Sequence, residues 1–307
     1  MRIRILGSAA GGGLPQWNCN CPNCQRVRAG EDRVHRRTQS SVAISADGNS
    51  WFLLNVSADV RHQIIDFPQL GPPKTCSRGT SIAGCVLTDA ELDHTSGLLQ
   101  LREGGVIAIH STAVVQRWLS EHFPIAPLLT HFADRPWSKI ELHEPFRLSS
   151  PNTPDEGLEV CAFETGRDAP RYVSPEPATA AGAVIGLSIR DHRTGGKLVY
   201  APGVLEVDQS LRDAVAGADC LLMDGSFWSN DEPSQHGITD RTAGQMGHLC
   251  VGGPQGSLAW LAELPIPNRV YVHINNTNPM LDTDSWEYAE VRNQGIAVGA
   301  DGDEFVC

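Results

Sequence analysis

The chain has 307 residues, is 41% hydrophobic and 20% charged, and carries a formal net charge of −12. This is the composition of a soluble globular protein with a sizeable core, long enough for one large domain or two. The acidic balance and the lack of a basic stripe argue against nucleic acid as a partner, and no apolar run approaches the ~20 residues that span a bilayer, so no membrane contact is expected.

In chain order, residues 2–6 read as a first strand ended by Gly7, an apolar opening too short for a signal peptide. Gly11, Gly12 and Gly13 form a flexible loop that can approach a ligand closely, which makes Gly12 and Gly13 candidate substrate-binding positions. Residues 41–45 and 50–56 read as a hairpin around Ala46-Asp47-Gly48-Asn49. A helix is expected over 59–65, a strand over 84–87 and a helix over 96–102. Residues 106–109 read as a strand and 111–120 as a helix capped by Ser111. The stretch 142–162 reads as β segments and turns. Residues 182–190 alternate like a strand, turn at Gly195-Gly196 and return over 197–201. A helix is expected over 208–216, a buried strand over 220–223 ending at Asp224, and a last clear strand over 269–272 ending at His273. No repeat or low-complexity tract is present, and 70–74 and 150–157 read as loops, not linkers.

Three strand ends carry the chemistry. After the apolar run 82–87 come Thr-Asp-Ala-Glu-Leu-Asp-His, which place Asp89, Glu91, Asp93 and His94 within six positions. Three carboxylates and an imidazole favour harder, oxygen-loving metals. The competing reading is a solvated acidic turn opening the next helix. Asp224 and His273 end two further strands, and functional residues gather at strand C-terminal ends in α/β architectures. Nine cysteines is an odd number, and Cys19, Cys21 and Cys24 sit within six residues. That spacing points to metal binding in a reducing, cytoplasmic setting, with Zn²⁺ held by three thiolates and a fourth ligand from elsewhere. The alternative is three unrelated reduced cysteines; the remaining six read as packing residues. His248 follows Gln245-Met246-Gly247 at an expected helix end, where a histidine can be satisfied by a backbone carbonyl. His236 sits in a polar loop and reads as mostly exposed, and the other histidines read as surface or packing residues. Arg171 and Tyr172, with Arg167 nearby, offer a cation and an aromatic face and are candidate substrate-binding residues.

The stretch Asp89-x-Glu91-x-Asp93-His94 resembles the His-x-His-x-Asp-His signature of the metallo-β-lactamase superfamily, with both leading histidines replaced by carboxylates. Asp224, in Met-Asp-Gly-Ser-Phe, matches that superfamily's later metal-ligand Asp, and His273 its final His. Its middle His belongs near residues 163–172, where this chain has none. The resemblance thus implies one metal held by Asp93, His94, Asp224 and His273, with Asp89 and Glu91 as optional or outer partners. It also implies an α/β fold, a four-layer αββα sandwich formed as a single domain over residues 1–307. The pseudo-halves are expected to meet near 150–180, with the metal under the Gly11-Gly12-Gly13 loop.

A closer resemblance, running from residue 2 to the C-terminus, is to the coenzyme PQQ synthesis protein B family. It rests on Gly-Ser-Ala-Ala-Gly-Gly-Gly-Leu-Pro-Gln-Trp-Asn-Cys-Asn-Cys-Pro-Asn-Cys, Met223-Asp-Gly-Ser-Phe-Trp, Met246-Gly-His248 and His273-Ile-Asn-Asn-Thr-Asn-Pro279. It implies a role in pyrroloquinoline quinone (PQQ) biosynthesis, with a PQQ precursor or PQQ as the small-molecule partner. Two histidines plus carboxylates with open positions is the pattern of non-haem Fe²⁺ oxygenases, and loss of two histidines weakens a two-zinc hydrolytic site. Iron-dependent hydroxylation of a tyrosine-derived precursor carrying a Glu-Tyr cross-link is therefore expected, with Asp93 and His248 as catalytic residues. The alternatives are a soluble carrier that moves PQQ or its precursor toward the periplasm, and a metal-dependent hydrolase. In related phosphodiesterases the fourth ligand of the three-cysteine zinc is a His three residues after the last active-site His, which here is Asn276. That ligand stays open: a residue in 275–278, another His, or one from a neighbouring subunit. Relatives with the three-cysteine motif also lead us to expect a homodimer.

Overall fold

The computed structural model describes residues 1–103, 105–149, 157–173 and 179–307. One sheet holds β1 (Arg2–Gly7), β2 (Ser41–Ser45), β3 (Trp51–Leu54), β4 (Ile82–Val86), β5 (Ala108–Thr112) and β6 (Trp137–Ile140). The other holds β7 (Phe146–Arg147), β8 (Leu158–Asp168), β9 (Thr179–Asp191), β10 (Lys197–Ala201), β11 (Cys220–Asp224), β12 (Asn268–Val272) and β13 (Ala297–Val298). A final strand, β14 (Glu304–Val306), returns to pair antiparallel with β1. The orders are β14-β1-β2-β3-β4-β5-β6 and β13-β12-β11-β10-β9-β8-β7. Helices are α1 (Pro22–Ala29), α2 (Val60–Asp66), α3 (Leu92–Thr95), α4 (Ala113–Glu121), α5 (Ile125–Leu129), α6 (Gln209–Val215), α7 (Glu232–Gln235), α8 (Ser257–Glu263) and α9 (Trp286–Asn293).

The layers follow from strand periodicity. Successive side chains leave opposite faces of a sheet, so a strand buried on both faces packs two different cores. Val42, Ile44, Phe52, Leu54 and Val86 of the first sheet meet Leu198, Tyr200, Leu222, Val270 and Val272 of the second in a core between the sheets. Their neighbours Ala43, Leu53, Cys85 and Ile109 turn outward onto Val60, Val115, Trp118 and Ile125 of α2, α4 and α5. Val199, Leu221, Met223 and Tyr271 do the same on the far side, against Val27, Leu211, Leu261 and Val291 of α1, α6, α8 and α9. The result is a four-layer αββα sandwich, the architecture that the resemblance implies.

Local departures from expectation have physical causes. The expected helix over 96–102 is the short α3 continued by a 3₁₀ turn, Ser96–Leu99. The chain is pressed there against the preceding strand's exit, so a Cβ on Gly97 would lie 2.0 Å from Ser57 O. α4 starts at Ala113, capped by Thr112, whose Oγ1 accepts from Val115 N at 3.4 Å; Ser111 belongs to β5. The two sheets meet between β6 and β7, at 140–146, and not near 150–180, because β8 and β9 pair along their length within the second sheet. Residues 150–156 and 174–178 of that expected seam, and with them most of the loop read over 150–157, lie outside the described residues. β6, β13 and β14 escaped notice because short edge strands with exposed side chains lack the apolar alternation that marks central ones.

Candidate metal centre

β4, β11 and β12 run in the parallel portions of their sheets, and their C-terminal ends open on one rim. At the end of β3, Asn55 adopts φ 63°, and its side chain brackets Thr88: Nδ2 donates to Thr88 Oγ1 at 2.8 Å and Oδ1 accepts from Thr88 N at 2.9 Å. The Thr88 hydroxyl donates to Asp89 Oδ2 at 2.7 Å, and Glu91 N donates to Asp89 Oδ1 at 2.9 Å. Asp89, so fixed, accepts from His94 Nδ1 at 2.7 Å. That contact commits the proton to Nδ1 and leaves Nε2 with its lone pair. Nε2 of His94 is buried and makes no hydrogen bond among the described residues.

The free nitrogen faces two other donors. Asp93 Oδ2 lies 3.9 Å from His94 Nε2 and 3.5 Å from His273 Nε2, and the three donors fall within 4.8 Å of one another. His273 sits at φ 55°, a left-handed conformation that costs a β-carbon residue about 1 kcal/mol and points to a functional constraint. Its backbone is pinned there: Ser226 Oγ lies 2.9 Å from His273 O, and Ile274 N donates to Ser8 O at 2.9 Å. Ser226 Oγ donates to Asp224 Oδ1 at 2.7 Å and is 2.8 Å from His273 Nδ1, so His273 Nδ1–H donates to Ser226 and its Nε2 also stays free. Two imidazole nitrogens and one carboxylate oxygen, all aimed at one point, form the donor set of a two-histidine, one-carboxylate metal site. An orphaned buried ring nitrogen is costly unless it meets a ligand, and a cation at that point satisfies it. The residues fit a metal.

The electrostatics favour positive charge at this point, so a metal cation competes with a second proton for His94 Nε2. Burial opposes protonation of His94, yet the carboxylates of Asp89 and Asp93 outweigh it and lift its pKa to about 9. Burial works against ionisation of Asp93, but the two imidazoles more than offset it and hold its carboxyl well below the usual range. Loss of bulk water, then repulsion from Asp89 and Asp93, pushes Glu91 up to about 7, although its side chain opens on the cavity.

The structure divides the expected ligand set. Asp93, His94 and His273 converge. Asp224 does not join them: both its oxygens are taken, Oδ2 by His248 Nδ1 at 2.7 Å and Val204 N at 3.0 Å, Oδ1 by Ser226 N at 2.9 Å and Ser226 Oγ. It groups instead with His248 and His273. Asp89 likewise spends its oxygens orienting His94, and Glu91 lines the cavity wall. His248 is held by Asp224, not by a backbone carbonyl, and its ring stacks on His273 at 5.3 Å. Burial opposes its protonation, and the Asp224 carboxylate raises its pKa nonetheless.

A cavity of about 350 Å³ stands over these donors. Gly11, Arg167, Arg171, Phe227, Arg241 and Met246 contribute to its walls. Gly11, not Gly12 or Gly13, is the residue of the glycine loop that reaches it; a Cβ there would come 3.2 Å from Asp93 Oδ2. Gly12 and Gly13, at φ 93° and 68°, make the turn beneath, and Gly12 N donates to Gln39 Oε1 at 3.1 Å. Arg171 lines the cavity as expected, but Tyr172 turns away: its ring packs on Phe123 and its hydroxyl donates to Ala90 O at 2.6 Å. His236 lies outside this cavity, and His110 is buried against Phe146. Sequence reasoning missed Arg241, Asn55 and Ser226; only Ser226, next to Asp224 in Met-Asp-Gly-Ser-Phe, carried a signal.

The second cluster also assembles. Cys19, Cys21 and Cys24 bring their sulfurs within 4.8 Å of one another. A hydrogen bond from Cys21 lowers the Cys24 thiol to about 7, against the effect of burial, so one thiolate is available near neutral pH. The side chain of Asn276 abuts all three sulfurs.

Residues 50–274 match the model of the Beta-lactamase superfamily domain. The chain is 46% identical over 303 residues to the Coenzyme PQQ synthesis protein B of Pseudomonas syringae pv. syringae, covering 98% of both chains. To the protein of the same name from Ectopseudomonas mendocina it is 47% identical over 306 residues, 100% of each. Among solved structures, Zn²⁺-bound PqqB from Methylobacterium extorquens matches all of both chains at 38% identity with a TM-score of 0.90. A diphosphatase of the PhnP family, 17% identical over 100% of this chain and 97% of its own, shares the fold with a TM-score of 0.66.

Proposed function

The chain belongs to the coenzyme PQQ synthesis protein B family of the β-lactamase superfamily, and on that premise we propose that it acts in PQQ biosynthesis as an iron-dependent hydroxylase of a tyrosine-derived precursor. The observation that carries the proposal is the convergence of His94 Nε2, His273 Nε2 and Asp93 Oδ2, with each imidazole's other nitrogen already committed. A ferrous ion held by these three residues would supply dioxygen activation, with its other positions open. The Methylobacterium relative is Zn²⁺-bound, which supports divalent-metal binding in this chain.

The chain's own residues do the rest. Arg167, Arg171 and Arg241 face the cavity and suit the carboxylates of a Glu-Tyr cross-linked substrate. Phe227 and Met246 offer an apolar wall for the phenol ring. His248, its Nδ1 tied to Asp224, presents Nε2 as the atom that exchanges a proton with the phenol. Asp89 and Ser226 hold the metal-binding imidazoles in one tautomer. Hydrolysis by a two-metal clamp finds less support, because Asp89 and Asp224 are saturated with hydrogen bonds. At the three cysteines we propose a structural Zn²⁺, and for the assembly a homodimer.

The test is reconstitution of the metal-free protein with Fe²⁺ or Zn²⁺, given air and a chemical reductant, on the tyrosine-derived precursor. Mass spectrometry should show addition of one oxygen atom only where Fe²⁺, air and the reductant are all present, the reductant's two electrons taking the second oxygen atom to water. Equal turnover without air, or with Zn²⁺, would refute the hydroxylase reading.

A further inference from the structure

We propose that a second cavity, which shares His248 as a wall with the metal cavity, binds a neutral, planar heterocyclic reductant that supplies the electrons for hydroxylation. The inference rests on the hydroxylase reading above and adds the source of its electrons. That reaction balances as Ar–H + O₂ + RH₂ → Ar–OH + R + H₂O, so each turnover consumes a two-electron donor besides dioxygen and the precursor. No thiol, indole or phenol lines the metal cavity among the described residues, so the electrons enter from outside it. The second cavity holds about 760 Å³, against about 350 Å³ over the metal donors. His248 and Leu205 belong to the walls of both. The His248 ring stacks on that of His273 at 5.3 Å, with the planes 24° apart, and His273 is one of the converging metal donors. A molecule against His248 in the second cavity is therefore separated from the metal point by two stacked imidazoles.

The lining decides what kind of molecule fits. Around the metal donors stand four carboxylates and three arginines. The second cavity has no Asp, Glu, Lys or Arg among its described lining residues, in a chain that is 20% charged. An ion entering it would shed water and meet no counter-charge, whereas a neutral ring escapes that cost. Trp228 supplies an indole wall for stacking, and its place is fixed. Its backbone N donates to Glu232 Oε2 at 2.6 Å, its ring meets that of Trp286 edge-on at 5.2 Å, and a Cβ on Gly252 would come 2.7 Å from its Cε2. Ser229, Asn230 and Gln255 add a hydroxyl and two carboxamides that pair with ring nitrogens and carbonyls. The wall is braced from behind: Val251 N donates to Phe227 O and Gly252 N to Trp228 O, both at 2.9 Å. Gly253, Pro254 and Gln255 are exposed and stand at the mouth. An aromatic wall with a few converging neutral polar groups is how proteins hold small ring compounds.

The experiment uses the full chain, with riboflavin, a neutral fluorescent ring compound, as the probe. Its fluorescence should be quenched saturably by the metal-free chain. Trp228→Leu should weaken binding roughly two- to tenfold, the worth of one lost stacking partner. Gln255→Trp, which fills the mouth from an exposed position and so leaves the fold alone, should abolish it. In anaerobic stopped flow, dihydroriboflavin mixed with the Fe³⁺-loaded chain should regain its oxidised absorbance band. Two ferric chains take the two electrons of one flavin, and its two protons pass to solvent. The rate should saturate at the concentration that half-saturates binding, whereas with ascorbate, an anion, it should rise linearly. Binding that does not saturate, a reduction rate linear in dihydroriboflavin, or wild-type behaviour in Gln255→Trp would overturn the site. Oxygen added to the precursor with another chemical reductant would still uphold the hydroxylase reading in those cases. Saturable reduction without any oxygen added would keep the site and overturn the hydroxylase reading instead.

Discussion

Asp89→Asn perturbs the metal centre while leaving all three of its donors in place. Asp89 takes the Glu91 amide on Oδ1 at 2.9 Å, the Thr88 hydroxyl on Oδ2 at 2.7 Å, and His94 Nδ1 at 2.7 and 2.9 Å from its two oxygens. The Glu91 N–H is fixed, so the amide oxygen of an asparagine must face it. The new NH₂ then stands where Oδ2 stood, in the shorter contact with His94 Nδ1. A donor there favours the tautomer that carries its proton on Nε2, the atom that must meet the metal. The substitution also removes the carboxylate charge that opposes burial and lifts His94 to about 9, so the imidazole becomes a weaker base. Loss of such an outer partner costs about 10–100-fold in metal affinity, roughly 1.4–2.7 kcal/mol. The assay is anaerobic Fe²⁺ titration against a competing chelator, with the sulfur site first filled by Zn²⁺. Affinity within twofold of wild type would show that Asp89 does not orient His94 for a metal.

His110 is 3% exposed between Phe52 and Phe146, and burial pushes its pKa down to about 4. Its folded pKa lies below the unfolded value of about 6.5, so the stabilisation is complete above that pH and is lost as pH falls toward 4, by about 3 kcal/mol. Urea unfolding at pH 7 and pH 4 should show His110→Phe losing about that much less than wild type; an equal loss in both would refute the assignment. Ser226→Ala strands His273 Nδ1 in a buried site, and we expect about 1–3 kcal/mol of destabilisation in urea together with weaker Fe²⁺ binding. Stability and affinity both at the wild-type level would show that Ser226 carries neither load. For Arg241→Gln we expect KM for the precursor to rise about tenfold with kcat held within about twofold, and Arg241→Lys to recover part of it. A fall in kcat alone would take Arg241 out of substrate binding.

The sequence made part of this legible for definite reasons. Apolar strands that stop abruptly at Asp or His announced His94, Asp224 and His273, because a polar residue ending a buried strand faces the rim where loops converge. Cys19, Cys21 and Cys24 were legible because three thiols in six residues can reach one point. What stayed hidden was direction. Asp89, Asp93 and Asp224 are the same residue type at comparable positions, yet only Asp93 turns toward the histidines' free nitrogens; the other two are consumed by Thr88, Glu91, Ser226 and Val204. Tyr172 adjoins Arg171 in sequence but faces the first sheet's outer core. Arg241 reaches the cavity from a loop without a motif, and Asn55 acts through the backbone of a neighbouring strand; neither has a local pattern to betray it.

The most direct measurement is a crystal structure of the Fe²⁺-loaded chain, recorded anaerobically with anomalous data at the iron edge. We expect one peak at bonding distance from His94 Nε2, His273 Nε2 and Asp93 Oδ2, with Asp89 still on His94 Nδ1. An iron peak bound by Asp224 and His248 without His94, or none in the cavity, would contradict the metal centre and with it the oxygen chemistry.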